Sequence, residues 1–290
     1  MAPVKILGLT VTAEDGEGIV DKPPMRHDVI LTHVVGWMRT EPNVRAAVLT
    51  GSLARDDATP DHLSDIDIEV YVGQPAPLLE TADWYEQFGE VLTVEALENP
   101  GWHLTRLVYY ADAKIDFMVA NVSALQDAPP YQRPFRVLVD KDGAASGLTS
   151  VDERMSEPPT PRDIEVCVNH FHAAALMCAK YIARGEPWLA KMRDWELKEQ
   201  LLKMLEWDHK ARHGWHYETW WLGHHINDWM DQDLRNSLDP LWADFTASSS
   251  ADALRRCVLI FSDASERVCI AMGMAPLTSQ KVLRRIEEIL

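Results

Sequence analysis

Residues 65–72, DIDIEVYV, alternate strictly between acid or tyrosine and an aliphatic residue. Period two places Ile66, Ile68, Val70 and Val72 on one face of a strand and Asp65, Asp67, Glu69 and Tyr71 on the other, so the strand is half-buried. Two carboxylates at i and i+2 project from the same face, close enough to share one divalent ion. Without a cation they repel and raise each other's pKa. A third acid on a neighbouring strand completes such a site, and Asp116 in KIDFMV is placed for it, opposite in facing to Ile115 and Phe117. Glu69, one step further along the first strand, is the weaker alternative.

Upstream of the acids lies a Gly-Ser turn. Gly51 lets the backbone approach a phosphate closely. Ser52 offers a hydroxyl and an N–H, and the start of a following helix favours anions. Arg55 is placed to pair with phosphate oxygens. Together these residues read as a clamp for a nucleoside triphosphate, with Gly-Ser on one side and Mg²⁺-bearing acids on the other. Mg²⁺ suits this set because it takes hard oxygen ligands, typically one or two carboxylates plus phosphate oxygens.

The surrounding pattern is a small α/β unit. Helices are expected at 26–40 and 78–90, and strands at 44–50, 65–72, 102–110, 113–119 and over RVLVD (136–140), with a hairpin at 111–112. The prolines of SEPPTPRD (156–163) read as a linker. Beyond it strand signals vanish, and helices are expected at about 161–184, 190–212, 216–232, 250–273 and 277–290. The fold class is therefore α+β: a mixed-sheet domain over 1–155 and an all-α helical bundle domain over 156–290, two domains of ordinary size.

The formal net charge is −17. Residues 1–150 hold 11 Lys+Arg against 23 Asp+Glu, and the remainder 17 against 22. Such a chain repels nucleic acid, and its acidic first half suits a cation, either a metal ion or a polycationic small molecule. No nucleic-acid or membrane partner is expected. Cys167, Cys178, Cys257 and Cys269 form no CxxC pair and read as buried thiols. With no secretory signal visible, the expectation is a cytoplasmic protein.

Eleven tryptophans read mainly as core, with one or two lining a cleft. His209, His213 and His216 have helical spacing that permits zinc. HExxH is absent, however, and no carboxylate completes an obvious set, so histidines on a wet helix face are the default reading.

The stretch GSLARDDATPDHLSDIDIEV resembles the signature of the nucleotidyltransferase superfamily, Gly-Ser followed by Asp-x-Asp. More narrowly, the chain resembles the aminoglycoside 6-adenylyltransferase (streptomycin adenylyltransferase-like) family. That match is carried by RVLVDKDG, AKYIARGEPWLAKM, WELKEQLLKMLEWDHKARHG and the Trp-rich WHYETWWLGHHINDW, and it spans about residues 25 to 275. Where that family often reads Gly-Ser-Arg-Ala-Asn, this chain reads Gly-Ser-Leu-Ala-Arg.

The resemblance implies that Asp65 and Asp67 bind Mg²⁺ and that Gly51 and Ser52 hold the triphosphate of ATP. Asp116 is implied as third metal ligand or general base. An acceptor hydroxyl attacks the α-phosphorus and pyrophosphate leaves. In the second domain Lys180 and Arg184, one helical turn apart, are placed to contact triphosphate, and Glu186 to bind an aminoglycoside ammonium or serve as base. Two alternatives stand beside this: an enzyme of the same fold that nucleotidylates a protein or other acceptor, and a non-catalytic nucleotide sensor.

Overall fold

A computed structural model describes residues 4–6, 9–11, 27–55, 60–98, 104–151 and 157–290. Arg26, the DDAT loop, the expected strand start at 102–103 and Ser156 of the linker lie outside the described residues. The chain divides into two compact units, Met1–Glu153 and Arg154–Leu290.

The first unit begins with a small antiparallel pair, β1 (Val4–Ile6) and β2 (Leu9–Val11). Helix α1 (His27–Thr40) follows, then strands β3 (Val44–Thr50) and β4 (Ile66–Val72). Two short helices, α2 (Ala76–Glu80) and α3 (Asp83–Glu86), lead into β5 (Val91–Leu97), β6 (Leu104–Tyr110), β7 (Lys114–Asn121) and β8 (Arg136–Asp140). Strands β3 to β8 form one mixed sheet in the order β5-β6-β7-β4-β3-β8, antiparallel except where β4 runs beside β7.

The helix expected over 78–90 is instead two single turns and the approach to an edge strand. Thr81 is extended (φ −122°, ψ 157°) and breaks it. The Trp84 indole then donates back to Leu78 O at 2.7 Å, fixing the second turn against the first.

Alternation decides which face of this sheet is dry. Ile66, Ile68, Val70 and Val72 join Ile115, Phe117 and Val119 under Ile30, Val34 and Met38 of α1. Burying such side chains stabilises the unit by roughly 1.5–3 kcal/mol each. The acids of β4 and β7 therefore face the opposite side.

The second unit is helical: α4 (Pro161–Ala183), α5 (Pro187–His213), α6 (Ile226–Trp229), α7 (Gln232–Asn236), α8 (Ala247–Ala271) and α9 (Gln280–Ile289). Thr160 opens α4 with a reciprocal cap to Asp163, and Pro161 sits at its first position, where no N–H is needed. Phe171 and Phe261 stack at 3.7 Å between ring centroids in the centre of the bundle. All four cysteines are buried and free, on α4 and α8.

The helix expected over 216–232 is absent. Trp220, Leu222 and His225 all adopt left-handed backbone, which ends a helix. The segment consists of single turns that press Tyr217, Ile226 and Trp229 onto the core. Among the described residues, no helix is long and apolar enough to cross a membrane.

Candidate active site

Parallel pairing of β4 with β7 sets Asp67 directly beside Asp116, and Ile66 beside Ile115. In-register neighbours share a face, so both carboxylates project together from the polar side of the sheet. Antiparallel pairing with β3 sets Thr50 on the other flank of Asp67. Asp65 stands just ahead of β4.

Lys114, two residues before Asp116 on the same face, links the outer two acids. Its Nζ donates to Asp65 Oδ2 at 2.6 Å and to Asp116 Oδ2 at 3.1 Å. Asp116 Oδ1 stands 3.1 Å from the same ammonium but accepts no hydrogen bond, and it is shut off from solvent. Burial, then the charges of Asp116 and Asp65, push Asp67 up to about 6 against the pull of Lys114. Asp116 is raised too, chiefly by burial; Lys114 opposes this, and Asp65 and Glu95 add to it. Lys114 is held above the ordinary lysine value. Burial works against its charge, and the hydrogen bonds and charges of Asp65 and Asp116 outweigh that.

The Gly-Ser turn closes one end of this row. Gly51 has φ 67°, ψ −156°, and Ser52–Ala54 form a single 3-10 turn behind it. A Cβ at Gly51 would overlap Asp67 Oδ2, so only glycine admits that carboxylate beneath the turn. Arg55 ends the turn, its N–H bonded to Ser52 O.

The donor set fits a hard divalent cation. Asp67 and Asp116 stand in register, Asp65 shares the Lys114 ammonium with Asp116, one oxygen of Asp116 accepts no hydrogen bond, and burial followed by the charges of Asp116 and Asp65 disfavours the ionised Asp67. The Lys114 ammonium supplies part of the positive charge such an ion would bring.

Glu69 is locked elsewhere. Its Oε2 accepts from Tyr71 at 2.7 Å and from Tyr131, which makes it a structural acid. Sequence reasoning passed over three nearby residues. Lys114 was readable, since it shares the period-two face of Asp116. Glu95 comes from β5, a strand that was not expected. Arg136 of β8 donates to Leu53 O and so tethers the Gly-Ser turn.

Lys180 and Glu186 belong to the second unit. Lys180 is exposed in the last turn of α4 and Arg184 follows that helix. Glu186 precedes α5 and lines a cavity of about 190 Å³ with Ile182, Ala190, Phe245 and Ser250. Trp195 and Trp242 are the two tryptophans that line a larger, apolar cavity of about 570 Å³ in the same unit.

The family described as streptomycin adenylyltransferase matches residues 25–285. An aminoglycoside 6-adenylyltransferase of Campylobacter jejuni is 22% identical over 264 residues, covering 86% of this chain and 90% of that protein. One of Staphylococcus aureus is 25% identical over 193 residues, covering 61% and 67%. Among solved structures, an aminoglycoside 6-adenyltransferase from Bacillus subtilis is 18% identical at a TM-score of 0.45, covering 90% of this chain and 96% of that one.

Proposed function

The chain belongs to the streptomycin adenylyltransferase family and is a nucleotidyltransferase; from that premise we propose that it transfers AMP from ATP to a hydroxyl of an aminoglycoside, releasing pyrophosphate. The observation that carries this reading is the in-register pair Asp67 and Asp116 beneath the Gly51 turn.

Asp65 and Asp67 are assigned to hold Mg²⁺, with Asp116 as third carboxylate. When bound, the ion neutralises charge on the triphosphate. Gly51 and Ser52 bind and orient the phosphates, and Arg55 adds charge to them. The Asp116 carboxylate is assigned to take the proton of the attacking hydroxyl; burial raises its pKa, which favours that role. Held in line, the hydroxyl oxygen forms a bond to the α-phosphorus as the bond to pyrophosphate breaks. The acidity of residues 1–150 favours a cationic acceptor.

The test is incubation with ATP, Mg²⁺ and a panel of aminoglycosides, followed by pyrophosphate release. Release that depends on streptomycin or a close relative supports the proposal. Silence across the panel overturns the acceptor class.

A further inference from the structure

The helical unit carries a cluster of metal-type ligands of its own. His209 and His213 stand four residues apart at the end of α5, so their imidazoles share a face. Their ring centroids are 4.3 Å apart. Asp231, at the border of α7, approaches from the side, with Oδ1 3.8 Å from His213 Nε2. One ligand atom from each of the three lies within 4.8 Å of the others.

A second observation points to a ligand. His209 is only 3% exposed, and neither of its ring nitrogens has a hydrogen-bond partner. A neutral imidazole carries one donor and one acceptor, and leaving each buried and unmet costs about 1–3 kcal/mol. Two further aromatic neighbours are no remedy. Tyr217 and Trp229 stand edge-on at 4.6 and 5.3 Å, and the Trp229 N–H is spent on His224 O. The expectation of wet histidines holds for the exposed His213 and His216 and fails for His209, and Asp231 supplies the carboxylate that the sequence did not reveal. His216, the third expected member, folds back over Gly214.

An outer layer orients the carboxylate of this cluster. Asp231 Oδ2 accepts from Arg212, leaving Oδ1 for the imidazoles. Arg212 also pairs with buried Asp208, which Arg267 grips through two hydrogen bonds of 2.8 and 3.0 Å. Hydrogen bonds of this kind fix the orientation of ligating carboxylates. The C-terminal end of α5 is the negative end of its dipole and favours a cation.

We propose that His209, His213 and Asp231 bind a zinc-class transition-metal ion. Two imidazole nitrogens and one carboxylate oxygen suit zinc, whereas Mg²⁺ and Ca²⁺ take oxygen alone. Three protein ligands leave a fourth position for water. Metal bonds of about 2.0–2.1 Å set tetrahedral ligand atoms roughly 3.4 Å apart. His213 and Asp231, both more than a third exposed, swing inward to the fixed His209. The ion occupies one of the two unmet nitrogens of His209 and ties Asp231, beyond the left-handed residues Trp220, Leu222 and His225, to α5.

The test uses the full chain, free of any histidine tag and stripped with a chelator. Zn²⁺ is titrated against a chromophoric competitor, and Co²⁺ is followed by its visible spectrum. One tight equivalent with tetrahedral Co²⁺ bands is expected. Loss of an outer-shell partner alone weakens metal sites about 10–100-fold. His213→Ala and Asp231→Asn, at exposed positions that spare the core, should each weaken the site at least tenfold, while Asp67→Asn retains it. Absence of a tight equivalent, unchanged binding in both helical variants, or its loss in Asp67→Asn would each overturn the proposal.

Discussion

A methyl group on Gly51 would fall 1.9 Å from Asp67 Oδ2, so the turn and the acid exist in their present places only because that residue has no side chain. Its φ of 67° is a second demand for glycine. Gly51→Ala is therefore expected to abolish nucleotidyl transfer and to cost about 1–3 kcal/mol of stability. Gly36 supplies the contrast. It sits exposed inside α1, and a Cβ there would meet nothing within 4 Å. Gly36→Ala is expected to stabilise by about 0.5–1 kcal/mol and leave activity intact. Urea denaturation alongside a pyrophosphate assay checks both.

Asp67→Asn separates chemistry from folding. The side chain packs beside Asp116 and near Asp65, so removing its charge relieves repulsion in the metal-free protein. The thermal midpoint should hold or rise, while turnover falls by at least about a hundredfold, since a loss of roughly 3 kcal/mol in transition-state stabilisation already amounts to that. Near-normal turnover in this variant would remove Asp67 from the metal assignment.

Lys114 bridges Asp65 and Asp116 by hydrogen bonds. Lys114→Met leaves three acids with no internal counter-charge. Without divalent ions the variant should lose about 1 kcal/mol, an ordinary value for a partly exposed charged pair. Adding Mg²⁺ should then raise its melting temperature more than it raises that of the parent protein. Equal Mg²⁺ shifts in the two proteins would show that the ammonium and the ion do not share the same acids.

Much of this site was legible before the fold was known, and the reasons are local. Strict alternation in β4 fixed the facing of Asp65 and Asp67, and KIDF did the same for Asp116. That Asp116 pairs with Asp67, and not with a neighbour one step away, is a matter of strand register across 49 positions of chain, which no local pattern encodes. Strand β5 escaped notice because its half-buried positions recur every third residue, as on a helix. The same limit hid the His209 cluster. A continuous helix over 216–232 gives no reason to bring Asp231 back to α5, and the left-handed turns that do so are set by packing of Tyr217, Ile226 and Trp229.

Glu206 on α5 offers a pH-dependent test. Burial raises its pKa to about 7 from an ordinary 4.5, with Lys210 and Lys203 opposing and Glu218 adding. The fold thus prefers the neutral carboxyl. That preference is fully present below about pH 4.5, where folded and unfolded chains are both protonated. It is lost as pH rises towards 7, because the unfolded chain ionises first. The loss is about 3 kcal/mol at most. Glu206→Gln should flatten this part of the stability profile, matching the parent near pH 4.5 and exceeding it at pH 8. Denaturant melts across that range check it; parallel profiles for the two proteins would mean that Glu206 is solvated as an ordinary surface acid.

The Phe171–Phe261 stack joins α4 to α8 at the centre of the second unit, and both rings are fully buried. Phe261→Ala removes the stacked face and leaves a cavity that Leu254, Val258 and Ala264 of the same helix cannot fill without moving the backbone. The expected cost is about 3–5 kcal/mol. Phe261→Leu keeps most of the volume and should cost under half of that. If denaturation showed the two variants equally destabilised, the stacking geometry itself, and not the filled volume, would be what holds α4 against α8.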